Sequence, residues 1–398
     1  MNTLPKALSG IRVLGATRML AGPYAEMLLA DMGAEVIHIE LPRVGDDSRH
    51  FAPIINGEGS CFLASNRNKK SITLDLRKPE GQEVFRDIMK ISDIVIENNR
   101  PGTMDKWNIG YSQLKEINPG IIMTSVSGFG QTGPYAHRPG LDIIAQAMGG
   151  LMSLTGEQEG PPMRTGNALG DFLGGLFAVY GTLTALYYRE KTGLGQHVDA
   201  ALFDSVIAVL ENIIPNYTAL GKITTRMGSR IPGIAPYNSY MAKDGYVVIG
   251  VSSNALWERF VTVLGRPELY NDPRFASAPL RVANVEEVDA ITQAWVAEKT
   301  VAEVVHDLNE VGVICGPVNS VDKLLEDPQV IAREMAVEIE HPIAGRFKVS
   351  GIAPKLSLTP GTIETPPPTL GQHNREVYQG LLQYSDEKLR TLTERGVI

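Results

Sequence analysis

A chain of 398 residues, 43% hydrophobic and 21% charged, is long enough for two domains around a sizeable core. Its formal net charge of -8 argues against non-specific nucleic-acid binding, which needs a basic face, while leaving room for a local basic pocket that takes a phosphorylated ligand. The two cysteines, Cys61 and Cys315, lie far apart without CxxC spacing, which argues against a disulfide framework and a structural zinc site.

Met1 to Ser9 has no basic stretch followed by an apolar run, as a secretory leader would. No segment reaches the roughly 18 uncharged apolar residues of a membrane span; the nearest, Phe172 to Tyr188, is interrupted by Gly174, Gly175 and Gly181. The expectation is a cytoplasmic protein that does not enter a membrane.

In chain order, Ile11 to Thr17 predicts a buried strand and Ala21 to Met32 a helix that closes at Gly33. Ala34 to Glu40 predicts a second strand. A polar loop with Arg43, Asp46, Asp47 and Arg49 follows, then the basic cluster Asn66 to Lys70. Ser71 to Leu76 predicts a strand, Pro79 opens a helix over Glu80 to Ile91, and Asp93 to Glu97 and Ile121 to Val126 complete the set. This alternation predicts an α/β fold, a Rossmann-like parallel sheet covered by helices, whose ligands sit at the carboxyl ends of the strands.

The stretch Arg164 to Gly175 places Asp171 between glycines at the start of a long apolar helix. So many glycines have little use in a helix core, because each costs about 1 kcal/mol relative to alanine. Asp171 is open to two roles here, helix N-cap or catalytic carboxylate. Beyond it, Gly195 to Ala200 predicts a strand and Leu202 to Tyr217 a helix. A Gly/Pro/Arg loop, Arg226 to Pro236, leads to a hairpin, Tyr237 to Met241 and Tyr246 to Val251, turning at Lys243-Asp244-Gly245. Helices are expected at Ala255 to Leu264, Val285 to Glu298 and Val301 to Val311, with a last one near Ser385 to Arg395. The expected layout is a large Rossmann-like domain over 1–220, a smaller α+β domain over 225–325, and a segment 330–398 that returns to the large domain.

A nucleotide dehydrogenase is the first rival, because the spacing from strand one to Glu40 mimics that to a ribose-binding acid. The glycine fingerprint is missing: Arg18-Met19-Leu20-Ala21-Gly22-Pro23 follows the strand. The seven histidines show no metal-ligand spacing, and Ser125 and Ser127 have no GxSxG around them. By contrast Arg43, Arg67, Lys69, Lys70, Arg77, Asn98, Asn99, Arg100, Lys106 and Arg138 are expected around one mouth of the sheet. Any one of them is ordinarily just solvated, but together they suit phosphates.

Motifs along nearly the whole chain resemble the class III CoA-transferase family, which includes formyl-CoA transferase, carnitine CoA-transferases and α-methylacyl-CoA racemases. They are Leu-Ala-Gly-Pro at 20–23, Asp-Met-Gly-Ala-Glu-Val-Ile at 31–37, Asn-Arg-Asn-Lys-Lys-Ser at 66–71 and Glu-Asn-Asn-Arg-Pro-Gly at 97–102. Gly-Phe-Gly-Gln-Thr-Gly-Pro at 128–134, Leu-Gly-Asp at 169–171, Cys-Gly-Pro-Val at 315–318 and Leu-Gly-Gln-His at 370–373 complete them. The resemblance implies an interlocked homodimer, acyl-CoA and a small carboxylic acid as substrates, and no tightly bound cofactor or metal.

It also implies that Asp171 is the nucleophile, passing through an aspartyl mixed anhydride and an aspartyl-CoA thioester. The resemblance further implies CoA contacts from Met19, Leu74, Arg77, Asn98, Asn99, Lys106 and, one residue off a family lysine, Arg138. Leu41 replaces a CoA-binding arginine, for which Arg43 is a candidate substitute. Asp142 matches an acid near the transferase site and, with Gly170, is a candidate assistant to the nucleophile. Gly170, Gly174 and Gly175 are expected to clear space for the adduct, and the helix start to offer amides to an oxyanion. Racemases of the family carry a Gly-His-Asp segment where this chain has Gly140-Leu141-Asp142; leucine cannot move a proton, which favours transfer. Arg18, Arg226 and Arg230 are candidates for pairing with a second carboxylate of a short dicarboxylate, or for touching CoA, a partner chain or solvent.

Overall fold

Apolar runs that bury both faces become strands of one parallel sheet. In the computed structural model, which describes residues 5–398, these are β1 (Arg12–Ala16), β2 (Glu35–Glu40), β3 (Lys69–Thr73), β4 (Ile94–Glu97), β5 (Ile122–Ser127) and β6 (His197–Ala201). Residues 1–4 of the Met1 to Ser9 stretch lie outside the described residues. The spatial order is β3-β2-β1-β4-β5-β6, and every adjacent pair is parallel. The direction of strand progression reverses between β1 and β4, the place where open α/β sheets bind their ligands.

Helices α1 (Ala21–Asp31) and α2 (Pro79–Lys90) lie on opposite faces of the sheet, and α3 (Asp142–Met148), α4 (Leu169–Thr192) and α5 (Leu202–Ala208) follow in sequence. Side chains of β1 alternate between the faces: Leu14 joins Phe85 and Ile88 of α2, and Val13 joins Leu29 of α1 and Ala185 of α4. By length and composition α4 could cross a bilayer. Its inner stripe, Gly174, Ala178, Thr182 and Ala185, is buried, with Thr182 hydrogen-bonded to Thr124 of β5 at 2.7 Å.

Contacts divide the chain into two units: one runs to Met152 and adds Arg164–Leu220 and Ile331–Ile398, and the other joins Ser153–Met163 to Gly221–Val330. The last segment of the first unit covers its sheet edge. Along edge strand β3, His373 N–H donates to the Ser71 carbonyl at 2.9 Å, and Ser71 N–H donates to His373 Nδ1 at 3.1 Å. Thr73 N–H donates to Asn374 Oδ1 at 2.8 Å, and the buried Tyr378 hydroxyl donates to the Thr73 carbonyl at 2.6 Å. A run of side chains thereby takes the place of a seventh strand.

The second unit is built on β7 (Tyr237–Ala242), β8 (Gly245–Gly250) and β9 (Ile314–Pro317), antiparallel in the order β9-β8-β7. Trp257, Phe260, Phe275, Val288 and Leu308 fill its core.

Two expectations fail locally. The strand expected at Ser71 to Leu76 begins two residues earlier, at Lys69, because Lys69 is buried against acceptors inside the fold. The helix expected over Leu202 to Tyr217 is two helices, Leu202–Ala208 and Ile213–Leu220, parted by a turn in which Glu211 has φ +49°.

Candidate active site

Asp171 is the third residue of α4 and is partly buried. It does not cap the helix: Ala168 occupies the N-cap position without a side-chain bond, and among the described residues the Asp171 carboxylate accepts no hydrogen bond. The amides of the first turn are held instead by Asp142, the first residue of α3. Asp142 Oδ1 accepts from Gly170 N–H at 2.7 Å and from Asp171 N–H at 3.4 Å. Gln146 Nε2 donates to both oxygens of Asp142, at 3.0 and 2.9 Å. Three donating groups thus hold the Asp142 side chain at the start of two helices, whose dipoles favour an acidic group there.

Burial and the neighbouring Asp142 charge push the Asp171 carboxyl up to about 7. A helix start favours an anion by about 1 kcal/mol at most in an exposed setting, so burial and the like charge prevail. The result is a carboxylate with raised basicity that, among the described residues, no hydrogen bond or ion pair restrains. Of the helix-start amides expected to face an oxyanion, those of Gly170 and Asp171 already donate to Asp142.

The glycines also serve another purpose than expected. A Cβ on Gly175 would lie 2.9 Å from the Ala21 carbonyl oxygen and from Tyr24, and one on Gly174 would lie 2.4 Å from Leu202 Cδ2. They let α4 approach α1 and α5 closely and leave no empty space. That approach brings Asp171, one turn before Gly175 on the same helix face, to the level of the β1–α1 loop. Cys61, half-buried on the short helix Ser60–Ser65, feels the charges of both Asp171 and Asp46, which, with burial, push its thiol up. That thiol was not singled out in the sequence.

The β1–α1 loop is held in an unusual conformation. Met19 has φ +70°, and its N–H points to Asp46 Oδ2 at 3.1 Å. Asn98 clamps Arg18 in both directions, accepting from its N–H at 2.9 Å and donating to its carbonyl at 2.7 Å. Beside this loop, at the carboxyl ends of β1 to β4, lies a cleft of about 190 Å³ lined by Arg18, Leu41, Leu74, Arg77, Asn99 and Trp107 among others. Arg77 is exposed there and held by Asp75 through bonds of 2.8 and 2.9 Å. Four sequence-predicted residues, Arg18, Leu74, Arg77 and Asn99, are therefore brought together, with Met19 and Asn98 shaping their edge.

Other predicted residues lie elsewhere. Arg43, with φ +65°, lines a separate groove formed with Thr73, Asn374, Tyr378 and the C-terminal Ile398. Lys106 is exposed at the end of a short helix, and Arg138 is exposed over the Tyr135 ring at 4.6 Å. In the second unit Arg226 donates to the carbonyls of Glu157 and Gly160, and Arg230 is held between Glu286 and Asp289. Leu141 is 70% exposed immediately before Asp142.

The basic cluster at 66–70 is not at the strand-end mouth. Arg67 and Lys69 are buried at the opposite end of β3, on Asp31 and on Glu26. Lys69 Nζ is held by Glu26, Asn66 and the Pro23 carbonyl. Lys69 and His38 outweigh the cost of burial and bring the Glu26 carboxyl down to about 2. Glu40, the acid a dehydrogenase would offer to ribose, is filled by Arg49, Ser71 Oγ and the Asp46 amide. Among the described residues no group of three or more His, Cys, Asp or Glu is placed to hold a metal ion.

The chain is similar to known proteins along nearly its whole length. Residues 8–374 match the family described as CoA-transferase family III. The chain is 40% identical over 396 residues to a succinyl-CoA–D-citramalate CoA-transferase of Chloroflexus aurantiacus, covering 99% of this chain and 98% of that one. It is 39% identical to the succinyl-CoA:glutarate CoA-transferase of Mus musculus, covering 99% of this chain and 90% of that one. Among solved structures, a CaiB/BaiF family protein from Brucella suis superposes with a TM-score of 0.86 at 38% identity, over 95% of this chain and all (100%) of that one. The chain is a member of CoA-transferase family III.

Proposed function

We propose that the enzyme moves CoA from a dicarboxylyl-CoA donor to a short dicarboxylic acid, with Asp171 as the covalent nucleophile. The observation that carries this is the Asp171 carboxylate: unbonded, raised to about 7, and presented by a helix start that Asp142 holds in place. The names of the similar proteins, succinyl-CoA transferases acting on citramalate and glutarate, support dicarboxylates as the substrate class.

Asp171 attacks the donor thioester carbonyl, the C–S bond breaks, and CoA thiolate departs to leave an aspartyl–acyl anhydride. The thiolate then attacks the aspartyl carbonyl and expels the donor acid as its carboxylate, leaving aspartyl-CoA thioester. An acceptor carboxylate repeats these steps in reverse and leaves with CoA, restoring Asp171. One exchange is thereby divided into easier displacements. CoA is assigned to the cleft of Arg18, Leu74, Arg77 and Asn99. Of the three arginines considered for a distal carboxylate, Arg18 alone lines this cleft; Arg226 and Arg230 are already engaged in the second unit. Racemisation would need a second proton-transfer group, and Leu141 supplies none.

The outer face of α4 supports a homodimer. Leu176, Tyr180, Leu183 and Tyr187 repeat at helical spacing and are 39–70% exposed, which is a broad apolar stripe for a monomer to leave in water.

Incubating the enzyme with succinyl-, acetyl- or formyl-CoA and a series of acids, read by mass spectrometry, tests the transfer. Succinyl-CoA with a dicarboxylate is expected to react fastest. A hydroxylamine-trappable adduct is expected in the wild type and absent in Asp171→Ala; exchange at wild-type rate in that variant would rule out the nucleophile.

A further inference from the structure

Gln146 lies one helical turn after Asp142 on α3 and is fully buried. Its amide is engaged at both ends. Nε2 donates to the two Asp142 oxygens at 3.0 and 2.9 Å, and more weakly to the Asn167 carbonyl at 3.5 Å. Oε1 accepts from Thr165 N–H at 3.0 Å and Thr165 Oγ1 at 3.2 Å. Asp142 in turn accepts the Gly170 and Asp171 amides. One neutral side chain therefore ties α3 to the 165–167 loop and, through Asp142, to the first turn of α4.

We propose that Gln146 is a positioning residue for the nucleophile. It fixes Asp142 as a permanent acceptor, and Asp142 fixes the Gly170–Asp171 backbone and with it the direction in which the Asp171 carboxylate faces. This rests on Asp171 being the nucleophile, as proposed above.

The chemistry singles out glutamine. The position needs a donor toward Asp142 and an acceptor toward Thr165 at the reach of a three-carbon stem. A leucine would leave buried oxygens of Asp142 and the Thr165 amide unpartnered, which is costlier than never having made the bonds. An ionised glutamate would face a second carboxylate. The other charged groups on the segments around α3 are Asp171, Asp204 of α5 and Arg164, and none of these hydrogen-bonds to Gln146. Arg164 donates instead to the Asn167 carbonyl at 3.1 Å.

The test uses full-length Gln146→Leu and Gln146→Glu with succinyl-CoA as probe. The rate of hydroxylamine-trappable adduct in a single turnover is measured from pH 5.5 to 8.5 and divided by the wild-type rate at each pH. Gln146→Leu is expected to form adduct about 100-fold more slowly at every pH, with KM for succinyl-CoA within about threefold, the size of effect two lost buried hydrogen bonds produce. In Gln146→Glu the protonated carboxyl keeps one O–H donor and one carbonyl acceptor. Its ratio is expected near one at pH 5.5 and to fall more than about tenfold by pH 8.5, as a like charge appears beside Asp142. A residue that only filled space would give no such pH dependence. A ratio flat with pH for Gln146→Glu, or wild-type rates in Gln146→Leu, overturns the proposal. If Gln146→Leu does not fold, the Gln146→Glu ratio decides alone. An adduct that survives Asp171→Ala overturns the nucleophile assignment and this proposal with it; a flat ratio with the adduct lost in Asp171→Ala overturns this proposal only.

Discussion

Asp142 accepts the Gly170 amide at 2.7 Å, so one acidic side chain caps, from another helix, the helix that presents a second acid. The cap and the nucleophile are thereby divided between two residues, and the cap's charge is felt by its neighbour. Asp142→Asn removes that charge while keeping an oxygen acceptor. The Asp171 carboxyl, now at about 7, then ionises at lower pH. The acidic limb of the exchange-rate profile is expected to move down by about one pH unit, and an unmoved limb would mean the charge is not felt.

Asp171 itself weakens the fold. Its pKa is raised from 3.8 to about 7, so wild type and Asp171→Asn should have similar stability below about pH 4, where both side chains are neutral. As pH rises from there to about 7 the unfolded chain ionises first, and the wild type loses stability relative to the variant. Above that the difference is constant, on the order of 2 kcal/mol after allowance for solvent access. Urea midpoints at pH 4 and 8.5 measure it, and a variant less stable at pH 8.5 would contradict the burial of this charge.

Gly174 and Gly175 separate by what they touch. Alanine at Gly174 meets the tip of Leu202, which can rotate aside, and helix propensity returns about 1 kcal/mol, so Gly174→Ala is expected near neutral. Alanine at Gly175 meets the Ala21 carbonyl at 2.9 Å, which cannot rotate. Gly175→Ala is expected to destabilise by about 1–3 kcal/mol in denaturant unfolding.

Beneath the site, Lys69→Met leaves the Glu26 carboxylate buried without its ammonium partner, at a cost of about 3–5 kcal/mol. In the wild type Glu26 stays ionised down to about 2, so this pairing stabilises above pH 4.5 and is lost as pH falls through about 2. The variant should instead gain stability as pH falls, because protonation relieves the stranded charge. Thermal melts at pH 4 and 8 distinguish the two signs.

Arg18 and Arg230 should behave differently. Arg18→Gln, in the cleft, is expected to raise a substrate KM at least about fivefold with little change in stability. Arg230 is bonded to Glu286 and Asp289, so Arg230→Gln is expected to lower stability by about 1 kcal/mol and leave both KM values unchanged. Equal KM effects would reverse this assignment.

Much of the fold was legible because period and punctuation carried it: the strands at Arg12 and Glu35 and the helix stop after Asp31 follow from local pattern. Asp171 stood out by its glycine setting, although the reason for those glycines was helix packing, which no single stretch can display. Gln146 left no signal at all, because a glutamine on an apolar helix acquires meaning only when Asp142 and Thr165 arrive from either side. Lys69 misled for the opposite reason: a lysine within a basic cluster reads as part of a phosphate-binding mouth until Glu26, far off in sequence, is seen to lie against it.

The side chains of His373, Asn374 and Tyr378, which take the place of a strand beside β3, stand more than 300 residues after it in the chain and are therefore synthesised long after it. Until they emerge, the backbone of Lys69–Thr73 remains an unguarded edge on an otherwise assembled sheet, open to pairing with another nascent chain. The 371–378 segment therefore acts as a late-arriving safeguard against aggregation, and proteins shortened before Gly371 should aggregate during expression even though Asp171 and its surrounding helices are intact.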